Sequence, residues 1–186
     1  MTSLINEEVK IFKPESIGLD KRYNKVLYLQ ELCYKYGDFK ITTSLRDNED
    51  NKTFWKHRSI LECWEDEKKT YFIECATHRT SFSTEIILDM DDNITLERFN
   101  LICDNIKYKY LLKYFGYFSG SKGYHIHIML KDFLKHNKKD REIIRETIML
   151  RFGMDLAKKS ESSMIALEGC PHWKTGNIKT LIRCYK

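Results

Sequence analysis

The sequence predicts an α+β fold, a mixed, largely antiparallel sheet with helices packed on it. Three observations predict it. The segment Glu85–Asp89 carries the run Ile86-Ile87-Leu88 and reads as a strand inside a sheet. Tyr124–Leu130 alternates side-chain character with the two-residue period of a strand. Between them Leu96, Phe99, Cys103, Ile106 and Tyr110 recur at helical spacing.

The elements follow in chain order. Residues 1–20 are polar, contain Pro14 and read as an extended lead-in. Asp20 caps a helix through Tyr36, with Val26, Leu29, Cys33 and Tyr36 as its apolar stripe and Gly37 as its stop. Residues 45–53 form a solvated loop. Thr70–Cys75 and Glu85–Asp89 are strands. Thr95 caps a long helix, and residues 92–113 read as one uninterrupted helical stretch. A short strand, Tyr114–Phe118, enters a Gly-containing turn, and Tyr124–Leu130 leaves it. Residues 135–140 open a helix through Phe152, with Ile144, Ile148 and Phe152 in register. Met164–Leu167 and Ile178–Tyr185 are strand-like and flank the loop Glu168–Gly176. No linker divides the chain, so 1–186 is expected to be a single domain.

Bulk properties narrow the function classes. Hydrophobic residues make up 42% of 186, with neither repeats nor low-complexity tracts, which describes a folded core. No apolar run approaches the roughly 18 residues of a membrane helix. Met1–Glu8 lacks the basic-then-apolar order of a signal peptide, which points to an intracellular protein of cytoplasm or nucleoid. Six cysteines without a CxxC pair read as reduced thiols. His57, Cys63, Cys75 and His78 are spaced too irregularly to favour zinc. A net charge of +5 is a mild bias toward polyanions.

Two motifs carry chemistry. Asp89-Met90-Asp91 ends the buried strand, and residues two apart in a strand share a face, so both carboxylates reach one metal cluster. Mg²⁺ and Mn²⁺ suit such carboxylates, which leave coordination positions for water and phosphate. The bland alternative is a solvated acidic turn, since Asp92 follows. In Phe118–His127, the turn Ser119-Gly120-Ser121-Lys122-Gly123 offers hydroxyls, an ammonium and backbone amides to phosphate oxygens. His125 and His127 then share one strand face, with Tyr124, Ile126 and Ile128 on the other. An ordinary hairpin turn and a metal-binding His-x-His pair are the competing readings. Downstream, Met154-Asp155 supplies a third carboxylate, with Glu161 and Glu168 as competitors. Pro171-His172-Trp173-Lys174-Thr175-Gly176 adds a second anion-suited loop.

Taken in order, these segments resemble the catalytic core of the archaeo-eukaryotic primase superfamily. That family has an apolar strand ending in Asp-x-Asp, a Ser-Gly-x-x-Gly-x-His turn and strand, an apolar-Asp motif and, in replicative small subunits, a His-x-Lys-Thr-Gly loop. Asp89–Asp91, Ser119–His125, Met154-Asp155 and His172–Gly176 match them across residues 85–185. Ser121 departs from the basic residue usual at its place. The family's zinc knob has no counterpart in 92–113, and the first 80 residues match replicative subunits poorly. Primase-polymerases of plasmids and viruses and end-joining polymerases are therefore equally good relatives.

The resemblance implies a small sheet of RNA-recognition-like topology flanked by helices. It implies template-directed, metal-dependent nucleotidyl transfer, with Asp89, Asp91 and Asp155 holding two Mg²⁺ or Mn²⁺ ions. Ser119, Ser121, Lys122, His125, His172 and Lys174 would bind the nucleotide's phosphates. The expected partners are nucleoside triphosphates, a single-stranded DNA template and a further replication subunit or domain. The alternatives are a non-catalytic nucleic-acid-binding relative and a metal-dependent phosphoesterase.

Overall fold

The computed structural model describes residues 21–46, 53–65, 70–90, 94–172 and 174–185. The lead-in 1–20, the cap Asp20, most of the loop at 45–53 and the second carboxylate, Asp91, lie outside them. The first helix is α1 (Lys21–Tyr36), and Gly37 ends it with φ 81°, a left-handed conformation that costs glycine little. Leu29 and Cys33 are buried on its inner face. Strands β1 (Lys40–Arg46) and β2 (Thr53–Ser59) then pair antiparallel, Lys40 opposite Ser59 and Arg46 opposite Thr53. Short helices α2 (Ile60–Glu65) and α3 (Thr70–Cys75) follow. The segment 70–75 is thus a helix, where sequence pattern predicts a strand. Adjacent Phe72 and Ile73 are both buried in the first core, and Cys75 is exposed. Tertiary packing against α1 and α2 overrides the β-propensity of Tyr71, Phe72 and Ile73.

The remaining strands are β3 (His78–Thr80), β4 (Glu85–Met90), β5 (Tyr114–Phe118), β6 (Tyr124–Met129), β7 (Met164–Ala166) and β8 (Thr180–Tyr185). The described residues form not one sheet but two, both antiparallel and four-stranded: β2-β1-β3-β7 and β4-β6-β5-β8. Helix α4 (Leu96–Asp104) is capped by Thr95, whose side chain accepts from Arg98 N, as the sequence predicts. It is not continuous to residue 113: a π-helical turn, Asn105–Lys109, ends it. Phe99, Ile102, Cys103 and Ile106 are buried, whereas Leu96 is half exposed. Helix α5 (Lys138–Phe152) starts at the cap Asn137 and stops at Gly153 (φ 67°).

Each sheet has its own apolar core. Ile41 and Phe39 pack with Leu29, Ile60, Phe72 and Ile73 on the first. Ile86, Leu88, Ile126 and Ile128 pack with Phe99, Ile106 and Met149 on the second. Strand alternation therefore gives β4 and β6 one greasy face under α4 and α5. Their other face carries Glu85, Ile87 and Asp89 from β4 and His125 and His127 from β6. Arg79 of β3 reaches this polar face from the first sheet. Arg145 of α5 braces its lower end, donating to the carbonyls of Glu85, Phe82 and Ser83. No described helix is long and apolar enough to cross a membrane.

Candidate active site

Asp89 and His125 face each other across β4 and β6. His125 Nε2 stands 3.2 Å from Asp89 Oδ1, and Lys158 Nζ stands 3.6 Å from Oδ2. Burial raises the Asp89 carboxyl, but His125 and Lys158 outweigh it and bring the pKa down to about 2. Asp89 is thus ionised at neutral pH. The His125 contact lacks hydrogen-bond geometry, so Asp89 Oδ1 is buried with no hydrogen-bond partner among the described residues. His125 Nδ1 is in the same condition. Burial first, and then Lys179, lower the His125 pKa against the pull of Asp89, so the ring is neutral at pH 7. Orphaned buried polar atoms are costly in a finished core, and neighbouring residues of opposite strands that each carry one could serve a ligand.

The predicted phosphate turn is built around Ser119. Its hydroxyl accepts from Ser121 N at 3.2 Å and Gly123 N at 3.3 Å, and its own N–H donates to Gly123 O. Both lone pairs are used, which leaves the hydroxyl hydrogen as the group's remaining donor. Lys122 is exposed at the tip of the turn. Gly120 has φ 84°, and a Cβ there would lie 2.7 Å from Asn177 O and 3.1 Å from His172 Cβ. The turn is therefore pressed against the His172 loop, and Thr175 Oγ1 donates to Gly120 O at 2.5 Å. His172 N donates to Asn177 O, and Lys174 N donates to His172 Nδ1 at 3.3 Å. Two segments more than fifty residues apart, each predicted to bind anions, meet here.

His78 of β3 belongs to the same neighbourhood. Its pKa is pushed down to about 4, first by burial and then by His172, Lys158, Lys179 and His125. Sequence reasoning placed His78 only in a loose zinc group with His57, Cys63 and Cys75. In the fold His57 meets Thr42, Cys63 lies in the first core, Cys75 is exposed and His78 meets Thr77.

His127 does something different from His125. Its Nδ1 lies 2.6 Å from Glu85 Oε1 and its Nε2 lies 3.2 Å from Lys179 Nζ. Both ring nitrogens are engaged, so the His-x-His pair is not a free two-nitrogen metal seat. Arg79 donates to Glu85 at 2.8 and 2.9 Å and to Glu168 at 2.8 and 3.0 Å. Lys179, fully buried, adds bonds to Glu168 at 3.2 Å and to Ala166 O at 2.8 Å. Burial pushes His127 down to about 4, so two cations face two carboxylates and the charges balance. The sheets are joined by this network, and Asp89 and His125 sit at its open end.

The carboxylates divide accordingly. Glu168 is committed to Arg79 and Lys179, and Glu161 is committed to Arg141 and Arg145. Asp155 is exposed, and its Oδ1 accepts from Ala157 N, capping the 3₁₀ turn Leu156–Lys158 that carries Lys158 to Asp89. Among the described residues no group of three or more His, Cys, Asp or Glu is gathered for a metal. What fits a hard divalent cation among the described residues is Asp89, ionised and with one carboxylate oxygen that accepts no hydrogen bond from them.

No protein-family profile matches the chain, and no curated protein sequence does. Solved structures do. The AEP domain of the cyanophage S-2L primase-polymerase superposes with TM-score 0.55 at 12% identity, over 88% of this chain and 90% of that one. The catalytic domain of primase RepB′, in complex with initiator DNA, superposes with TM-score 0.52 at 11% identity, over 86% and 84%. A longer RepB′ chain gives TM-score 0.52 at 12% identity, over 86% of this chain and 56% of that one. The fold of this chain is the archaeo-eukaryotic primase-like (AEP) fold.

Proposed function

We propose that this chain is an intracellular, template-directed nucleotidyltransferase, a primase or primase-polymerase catalytic unit in which both sheets act together. One observation carries the reading. In an AEP-like fold, ionised Asp89 and neutral His125 present unpartnered buried atoms beside the joined Ser119 and His172 loops.

The reaction follows from that arrangement. The oxygen of a 3′-hydroxyl attacks the α-phosphorus of a nucleoside triphosphate. An O–P bond forms, the bond to the β-phosphate oxygen breaks, pyrophosphate leaves and the hydroxyl proton passes to water. Asp89, with Asp91 and Asp155, would hold two Mg²⁺ or Mn²⁺ ions. Ions held there would supply activation of the hydroxyl and neutralisation of the leaving pyrophosphate. The chain's own groups bind and orient. The hydroxyls of Ser119 and Ser121, with Lys122, His125, His172 and Lys174, grip the triphosphate by charge-assisted hydrogen bonds. The Arg79–Glu168–Lys179 network holds the sheets rigidly, so catalysis is positioning plus charge neutralisation. A neighbour of this fold was solved with initiator DNA, which supports a DNA template here too. A further replication subunit or domain would supply the grip on template.

The test is incubation with single-stranded DNA, Mg²⁺ or Mn²⁺ and labelled nucleotides, with and without a primer. Primer extension with stoichiometric pyrophosphate supports the proposal. Nucleotide and DNA binding without turnover would make the chain a binding relative. Phosphodiester cleavage without nucleotide would make it a phosphoesterase.

A further inference from the structure

Lys158 is the residue at the site that no motif predicts. It ends the 3₁₀ turn Leu156–Lys158, which packs against β4. Its ammonium has two neighbours of different kinds. It donates to the backbone carbonyl of Met164 at 2.8 Å, and it stands 3.6 Å from Asp89 Oδ2. The first is a good hydrogen bond. The second is a charge contact too long for one.

This is an unequal arrangement. Lys158 is anchored by a carbonyl and only lends its charge to Asp89, so it can leave the carboxylate and keep its acceptor. Lys179 is the contrast. It is fully buried and tied at once to Glu168, Ala166 and His127, with no partner it can release cheaply. Lys158 sits at the mouth instead, its side chain 23% exposed against 11% for Asp89. The other oxygen of Asp89 is the one without a hydrogen-bond partner among the described residues. Asp89 thus has a removable cation beside one oxygen, and beside the other the neutral His125 ring, whose Nε2 at 3.2 Å makes no hydrogen bond to it.

We infer that Lys158 is a displaceable counterion of the metal seat. It neutralises Asp89 while no metal is bound, releases the carboxylate when a divalent cation arrives, and from its Met164 anchor turns its ammonium to the nucleotide's triphosphate. The inference rests on Asp89 being a metal ligand, as proposed above. Its consequence is a coupling. A cation a few ångströms from the seat repels a bare divalent ion, because unit charges in a partly buried site interact strongly. A metal that enters together with a triphosphate meets less repulsion, since the phosphates attract the same ammonium. Metal and nucleotide should therefore bind cooperatively, and the coupling must be reciprocal. The site then stays largely metal-free until a nucleotide is present.

The experiment uses the full chain and two variants. Lys158→Met removes charge and anchor. Lys158→Gln removes charge but keeps a donor for Met164 O, and circular dichroism confirms folding of each. Mn²⁺ affinity is measured without nucleotide, by electron paramagnetic resonance of free Mn²⁺. Triphosphate affinity is measured at saturating Mn²⁺. The inference predicts that both variants bind bare Mn²⁺ roughly tenfold more tightly and bind triphosphate roughly tenfold more weakly, so that the metal–nucleotide coupling shrinks. Unchanged or weaker Mn²⁺ affinity in Lys158→Gln, with Asp89→Asn abolishing Mn²⁺ binding, overturns the counterion role while leaving the seat in place. Undiminished Mn²⁺ binding in Asp89→Asn overturns both the seat and the inference built on it.

Discussion

Replacing Glu168 by Gln should be among the most destabilising single changes in this chain, although Glu168 lies in the loop after β7. Its carboxylate takes two bonds from Arg79, at 2.8 and 3.0 Å, and one from Lys179 at 3.2 Å. The three side chains are at most 5% exposed. Arg79 keeps Glu85 after the change, but Lys179 loses its carboxylate and becomes a buried, uncompensated cation. Breaking a buried pair by removing one partner costs about 3–5 kcal/mol. At about 2–4 °C per kcal/mol for a domain of this size, the melting temperature should fall by roughly 6–20 °C. The assay is urea unfolding followed by tryptophan fluorescence, with a thermal scan beside it. Glu168→Gln combined with Lys179→Met restores the charge balance and should recover at least half of the loss. The pH dependence has a definite sign. Burial works to raise the Glu168 carboxyl, but Arg79, Lys179 and His127 hold it well below the usual value of 4.5. Its contribution is therefore complete above pH 4.5 and lost as the pH falls through the folded-state value. A loss under about 1 kcal/mol, or a double variant as unstable as the sum of the singles, would refute the reasoning.

Further predictions concern the site. His127, pushed down to about 4 from 6.5, must protonate on unfolding in acid, so stability should fall as the pH drops from 6.5 to 4 and His127→Gln should flatten that limb in a urea-unfolding series. His125→Ala and His172→Ala should weaken triphosphate binding in calorimetry by about 1–3 kcal/mol with little change in melting temperature. Gly120→Ala places a Cβ against Asn177 O and His172 at a left-handed φ; a cost of about 1–3 kcal/mol should appear in unfolding, with weakened triphosphate binding from the displaced loop. The isolated chain should bind single-stranded DNA weakly and with strong salt dependence in fluorescence anisotropy, and should extend a supplied primer far better than it starts a strand.

The site-bearing sheet was legible because its code is local. The apolar run in 85–89 and the alternation in 124–130 mark two strands, and in the fold their two-residue period puts Asp89 and His125 on one side and Ile86, Leu88, Ile126 and Ile128 on the other. Of the first sheet only β7 was legible, as the strand-like segment Met164–Leu167. Lys40–Arg46 and Thr53–Ser59 hold only Ile41, Leu45, Phe54 and Trp55 as large apolar residues among Lys, Thr, Ser, His and Arg, too few to mark two strands on either side of the polar stretch 45–53. The π-helical turn at Asn105–Lys109 is hidden for the opposite reason, since Lys107, Tyr108 and Lys109 suit a helix surface equally well. The buried network is invisible for a third reason. Arg79 and Glu168 are 89 positions apart, and a charged residue announces solvent unless its partner is known.

Primer extension by Asp89→Asn tests the central claim most directly. Asparagine keeps the shape of a side chain that is already nearly buried, but it removes the charge that makes Asp89 a seat for a divalent cation. The account predicts that wild-type protein, given a primed single-stranded template, Mn²⁺ and labelled nucleotides, extends the primer and releases pyrophosphate. It predicts that folded Asp89→Asn, matched by circular dichroism, extends essentially none. Extension by Asp89→Asn at more than a few per cent of the wild-type rate would contradict the account.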